Sequence, residues 1–283
     1  MSAIAPARGR AVTGLDLAGI TSRQRTVWDA GDYSAVGTRI TLVSERLCEA
    51  ADLQAGTRVL DIAGGSGTTA LAAARCGCEV VSLDFVASLQ ERARARAAAE
   101  DLFVEFVAGD AQALPFGDAS FDAVVSAVGA MFAPDQRAVA GEMLRVCRPG
   151  GPVALAAWTP DGFIGGLLRA VTAHVPPPAG LASPLLWGSE DHVKALLADG
   201  VDEIAFRTRT HVFRFPSAEA FTEFFRVKYG PTFMAFAALD GDGRRALAED
   251  ITALVRRHAR TGPSGAVAIP AEYLEVVARR RRG

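Results

Sequence analysis

The chain has 283 residues, 50% of them hydrophobic, with 30 basic and 32 acidic side chains and a formal charge of −2. That length supports one large α/β domain with an added cap or two small ones, and the near-balanced charge gives no broad electrostatic footprint for nucleic acid. No apolar run reaches the length of a membrane span and no secretory signal opens the sequence, so a cytoplasmic protein away from the membrane is expected; four scattered cysteines do not make a disulfide framework or a zinc site.

Residues 1–27, rich in Ala, Gly and Arg without sustained periodicity, read as a mobile lead-in. Trp28 and Tyr33 follow, and Ile40, Val43, Leu47 and Ala50 then recur at helical spacing, predicting an amphipathic helix ahead of the first strand. The stretch Arg58-Val59-Leu60-Asp61-Ile62-Ala63-Gly64-Gly65-Ser66-Gly67-Thr68-Thr69-Ala70 predicts a strand, a tight glycine turn and a helix N-terminus. Gly65 to Ala70 fits the dinucleotide pattern G-x-G-x-x-G/A, and Asp84 closes the next strand, Glu79 to Leu83, where a ribose-binding acid belongs. Asp61 argues against a pyrophosphate on the helix N-terminus and suits a ligand with an ammonium or sulfonium group.

A helix over Ala87–Ala99, with charge-rich Gln90 to Arg96 on a solvated face, leads to a third strand, Phe103 to Val107. Next come Gly109-Asp110-Ala111-Gln112-Ala113-Leu114-Pro115-Phe116, the strand segment Ser120-Phe121-Asp122-Ala123-Val124-Val125-Ser126, a helix over Asp135–Cys147, and Pro149-Gly150-Gly151 before a central strand, Pro152 to Trp158. Alternating strands and helices imply parallel β-α-β units.

With these four motifs in order, the chain resembles the class I S-adenosylmethionine-dependent methyltransferases, in particular their ubiquinone/menaquinone-methyltransferase-like small-molecule branch, clearly from about Trp28 to Trp158. Ala63 departs from the pattern by standing where many members place the first glycine of the turn. The resemblance implies a Rossmann-like, seven-stranded sheet with helices on both faces and a helical lid, all in one domain: a cofactor-binding core over residues 28–160, then the rest of the sheet and the lid over 161–283. It implies S-adenosylmethionine as cofactor, with Asp61 facing its ammonium, Ala63, Gly64 and Gly65 near its methionyl part, and Asp84 on the ribose hydroxyls. Asp110 and Ala111 would hold the adenine edge, Phe85 and Leu89 the base faces, and Ser126 the rim. A helix cap for Asp84 and an Asx turn for Asp110 are the bland alternatives.

Beyond Trp158, Phe163–His174 reads as helix, and Ser189 as the N-cap of another. Ile204 to Phe215 reads as the sixth strand, and Ser217–Tyr229 and Gly243–Arg260 as helices. Tyr273 to Ala278 reads as a last strand, which the resemblance places antiparallel between the fifth and sixth, leaving the helices of 218–261 as the lid. Arg279 to Arg282 reads as a solvated basic tail. Aromatic faces attract a sulfonium and shed water, so Trp28, Tyr33, Phe132, Trp158, Trp187 and Phe225 are candidate substrate-pocket residues, with a core role open for each. If the acceptor needs a base, His174 and Tyr229 are the candidates carried forward, with His192 and His211 behind them. Ser126-Ala127-Val128-Gly129 lacks the Asn/Asp-Pro-Pro-aromatic tetrad used on planar amino groups, which disfavours base and amide methylation.

The expected function is methyl transfer to O, C or N of a small, partly apolar metabolite, without metal, nucleic acid or membrane, and with a homodimer left open. A nicotinamide oxidoreductase and a methyltransferase-fold protein that moves no methyl group are the rivals.

Overall fold

Three helices precede the sheet in the computed structural model, which describes residues 15–282. They are α1 (Leu17–Asp29), α2 (Tyr33–Gly37) and α3 (Thr41–Ala50). α1 corrects the expected lead-in over its second half. Asp16 caps it by accepting from the Gly19 N–H at 2.9 Å, and its apolar residues pack on the sheet rim although they keep no regular period. The first part of that expected segment, residues 1–14, lies outside the described residues.

The parallel core alternates β1 (Arg58–Ile62), α4 (Thr68–Arg75), β2 (Glu79–Asp84), α5 (Ala87–Ala99), β3 (Val104–Ala108), β4 (Ala123–Ala127), α6 (Gln136–Val146) and β5 (Pro152–Trp158). β5 is buried along its whole length, as continuous apolar strands covered on both faces must be. α7 (Phe163–His174), α8 (Glu190–Leu197), β6 (Val201–Phe215), α9 (Ala218–Lys228), α10 (Gly230–Ala238), α11 (Gly241–His258), β7 (Arg260–Thr261) and β8 (Val267–Arg280) complete the chain.

The sheet runs β3-β2-β1-β4-β5-β8-β6, with the short β7 paired to β8 off that path. β8 lies antiparallel between β5 and β6, and the helices between β6 and β8 form the expected lid. This is the Rossmann-like class I methyltransferase sheet with one additional two-residue strand. No helix among the described residues is long and apolar enough to cross a membrane.

Several boundaries differ for physical reasons. β6 and β8 pair from Val201 with Arg280 to Phe215 with Val267, whereas β5 reaches only Tyr273 to Arg279 of β8, so the distal ribbon leaves the core and props up α9. Tyr229-Gly230-Pro231 reads as a break, yet a proline in the first turn starts a helix, and α10 begins there. The basic tail is docked: the Arg280 guanidinium donates to the Arg145 carbonyl at 3.1 Å and to that of Cys147, and the Arg282 N–H donates to Asp202 at 2.9 Å. Gln90 faces inward and ties β2 to β3, donating to the Asp84 carbonyl at 2.9 Å and the Val107 carbonyl at 2.6 Å. Ser189 stands at the N-cap of α8 without its hydroxyl bonding there.

Candidate active site

β1 ends at Asp61 and Ile62, and the turn from Ala63 to Gly67 carries the chain into α4. The turn must be tight. A Cβ on Gly64 would lie 2.2 Å from the Ser82 hydroxyl and 2.5 Å from an Asp61 carboxylate oxygen, so only glycine fits. Ala63 holds φ +53° and Val128, on the facing turn after β4, φ +51°, a left-handed conformation that L side chains adopt at a cost of roughly 1–2 kcal/mol each. A Cβ on Gly129 would come 2.3 Å from the Ala63 carbonyl, so the two strained turns lean directly on each other. Strain held in place by its surroundings in this way concentrates at functional sites.

Over these turns opens a cavity of about 860 Å³, part of it open to solvent. Ala63, Gly64 and Gly65 form its floor, and Asp84, Phe85, Leu89, Asp110 and Ala111 line one end. Trp28, Tyr33 and Phe132 line the other. The Asp84 carboxylate takes one backbone N–H on each oxygen, from Gly65 and Val86, both at 2.8 Å. It thus serves the local turn and the glycine loop together, with lone pairs left for a ligand; burial pushes its pKa up, and the N–H groups of Val86, Gly65 and Phe85 pull it back. Asp110 does form the Asx turn, accepting from the Gln112 N–H at 2.9 Å, and also lines the cavity.

Gln112 was not singled out from the sequence, yet it organises this end. Its amide donates to Asp110 at 3.0 Å and to the Thr21 hydroxyl at 3.0 Å, and its carbonyl accepts from the Asp135 N–H at 2.9 Å, so α1 is drawn over the opening. Its place two residues after Asp110 was the available signal. Thr21 and Gln24 were hidden in the segment expected to be mobile, and Ser44 and Thr69, whose hydroxyls meet at 2.9 Å, carry no motif.

Asp61 and Ser126 correct the expected placement. Asp61 is fully buried beneath Gly64 and does not line the cavity. Neither carboxylate oxygen has a well-formed hydrogen bond among the described residues. Burial pushes its pKa up to about 8, and the nearby Ala70 N–H and Ser82 hydroxyl offset this only in part. The Ser126 hydroxyl donates to the Ile62 carbonyl at 2.7 Å and accepts from the Ala130 N–H at 3.0 Å, which makes it a clasp between β1 and the turn after β4.

A second chamber of about 330 Å³ shares Tyr33, Ile40, Val128 and Phe132 with the first. Trp158, Phe213, Phe225 and Tyr229 close it. Trp28 packs edge-on against Tyr33, Phe132 and Tyr229, with centroids 5.4, 4.7 and 5.6 Å away.

Trp187 is buried in a short 3-10 helix, Pro184–Gly188, and lines neither chamber. His174, at the last turn of α7, pairs with Asp250 of α11 at 2.8 Å and likewise reaches neither. His192 bonds Gln136 at 2.6 Å, and His211 packs on Phe213 with centroids 4.7 Å apart, its pKa pushed down to about 4 by burial. Tyr229 is therefore the one expected acid-base candidate at a chamber. No group of three or more His, Cys, Asp or Glu suited to a metal occurs among the described residues.

These residues fit an adenosyl sulfonium ligand. The charged side chains lining the cavity are the acids Asp84 and Asp110, no Lys, Arg or His lines it, and the orphaned Asp61 adds a further acid below the floor. A pyrophosphate would want free N–H groups and cations there, but the Gly65 N–H is already taken by Asp84. The sequence profile of a methyltransferase domain matches residues 59–151. An uncharacterized protein of Mycobacterium tuberculosis is 39% identical over 265 residues, covering 93% of this chain and 96% of its own. The chain belongs to the class I S-adenosylmethionine-dependent methyltransferase family. Another family member, a demethylmenaquinone methyltransferase of Clavibacter sepedonicus, is 37% identical over 132 residues, covering 45% of this chain and 54% of its own. A crystal structure of a putative methyltransferase from Bacillus halodurans shares the fold with a TM-score of 0.59 at 20% identity, over 84% of this chain and 99% of that one.

Proposed function

We propose that the chain transfers the methyl group of S-adenosylmethionine to an oxygen, carbon or nitrogen of a small, partly apolar acceptor. The observation that carries this reading is a single cavity with acids at one end, a glycine floor in the middle and an aromatic box at the other end. When bound, the cofactor supplies a methyl group on a cationic sulfur whose leaving group is a neutral thioether.

In this reading Asp84 accepts from the ribose hydroxyls with the lone pairs its two backbone bonds leave free. Asp110 and Ala111 hold the adenine edge, with Phe85 and Leu89 against the ring. The carbonyls and N–H groups of Ala63 to Gly65 border the methionyl part, and Asp61 acts on its ammonium from beneath the floor. Trp28, Tyr33 and Phe132 present ring faces to the sulfonium and keep water out. The protein's task is alignment, which contributes about 7–11 kcal/mol in favourable cases. Calorimetry with S-adenosylhomocysteine and with NAD tests the first step: binding of the first alone is expected, and the reverse would end this reading. Transfer of labelled methyl to a panel of phenols, quinones, amines and carboxylates tests the second.

A further inference from the structure

We propose that the second chamber takes an acceptor no larger than one substituted ring, an acidic phenol or enol that arrives already ionised, whose oxygen is held by the Tyr33 and Tyr229 hydroxyls without a protein base. The proposal rests on the methyltransferase reading above. It starts from what borders the chamber. Its walls are Val, Ile and aromatic rings, and the Tyr33 and Tyr229 hydroxyls are, with the Trp158 indole, its polar side-chain groups. The two tyrosine rings lie 6.4 Å apart, and neither hydroxyl has a hydrogen-bond partner within the protein among the described residues. Two unpartnered donors in an apolar enclosure are costly unless a ligand accepts from them. Enclosure keeps both phenols in the neutral, donating form; the charge of Asp84 adds to this at Tyr33, and Tyr33 adds to it at Tyr229.

No group able to take a proton near neutral pH lines either chamber. The histidines lie elsewhere, and Asp84 and Asp110 stand at the far end of the first cavity. An acceptor that must lose a proton has therefore lost it to water before it meets the methyl group. Its anion is compensated by the cationic donor, because no Lys or Arg lines the chamber to pair with a second, permanent charge. In the step itself an oxygen lone pair forms the O–CH3 bond as the S–CH3 bond breaks with its pair left on sulfur, so an anion and a cation give two neutral products. The chamber, at the low end of ligand-pocket volumes, limits the acceptor to about one ring.

The probe is 4-nitrophenol, whose ionised form has its own absorption band, titrated with pH against the unaltered chain loaded with S-adenosylmethionine and compared with phenol and 4-hydroxybenzoate. The proposal expects the bound probe to remain ionised at a pH where the free probe is protonated, phenol to bind at least tenfold more weakly at neutral pH, and 4-hydroxybenzoate to be excluded. Tyr33→Phe and Tyr229→Phe should each weaken capture about tenfold. Capture of the protonated probe, tight binding of 4-hydroxybenzoate, or full affinity in both variants overturns it. The absorption shift in the unaltered chain stands even if a variant fails to fold. Cofactor binding without probe capture removes the acceptor assignment alone, whereas absence of cofactor binding removes the methyltransferase reading with it.

Discussion

Residues 58–158 build their part of the site from backbone, with strand ends, glycine approaches of atomic tightness and carboxylates that take N–H groups, while residues 201–282 build theirs from side-chain rings stacked on a ribbon. In the first region Gly64 leaves no room for a methyl group, and two residues hold left-handed backbone to keep the floor in place. In the second, Phe221 stacks on Phe225 with centroids 4.2 Å apart, Phe213 and Phe215 meet them from the ribbon, and the Arg39 guanidinium covers Phe224 at 4.3 Å. The first arrangement suits one ligand that every family member shares. The second can exchange rings without disturbing the sheet, and so suits a variable acceptor.

The contrast breaks most visibly at Phe225. Phe225→Ala should cost about 3–5 kcal/mol of stability in denaturant unfolding, since the ring is almost fully buried, yet leave S-adenosylhomocysteine affinity nearly unchanged. Asp84→Ala should do the opposite. Losing charge-assisted bonds of about 1.5–3 kcal/mol would weaken cofactor binding at least tenfold by calorimetry, while circular dichroism still reports a folded chain. Affinity retained within twofold would make Asp84 a turn residue only.

Asp61 sharpens the comparison through pH. With its pKa raised from 3.8 to about 8, the folded chain holds the proton more tightly than the unfolded chain. Asp61 therefore makes stability fall as pH rises from about 4 towards 8, and Asp61→Asn should remove that fall in melting curves. A ligand ammonium favours the ionised form, so cofactor affinity in the native chain should increase from pH 7 to 9 with release of a proton, and the Asn variant should show neither. Ala63→Gly, which relieves a left-handed alanine, should raise stability by about 1 kcal/mol. His174→Ala, which breaks only a pair with an exposed Asp250, should shift stability by less than about 1 kcal/mol and leave turnover unchanged.

The cofactor half was readable because its requirements are local. A glycine turn, an acid closing β2 and Gly109-Asp110-Ala111 each announce a backbone geometry, and eight of the ten residues expected around the cofactor do line the cavity. Asp61 and Ser126 went astray because sequence places a residue at a strand end without saying whether its side chain points over the turn or under it. The acceptor half depended on pairings far apart in the chain. Nothing near His174 reveals that Asp250 will meet it, and nothing near Trp187 that Trp158 and Phe225 reach the chamber while it does not. Tyr33 and Tyr229 were both singled out, but that their rings would face each other was visible only after α1, α2 and α9 were packed.

The position of β8 in the sheet constrains how the molecule is assembled as it leaves the ribosome. β6 emerges well before β8 yet joins the other strands solely through it, so during synthesis the outer flank of β5 stays unpaired and the α9–α11 helices emerge without the ribbon that supports them. A ribosome stalled just before Val267 should therefore hold a nascent chain in which the parallel strands have formed while the wall carrying Phe213, Phe225 and Tyr229 is still loose.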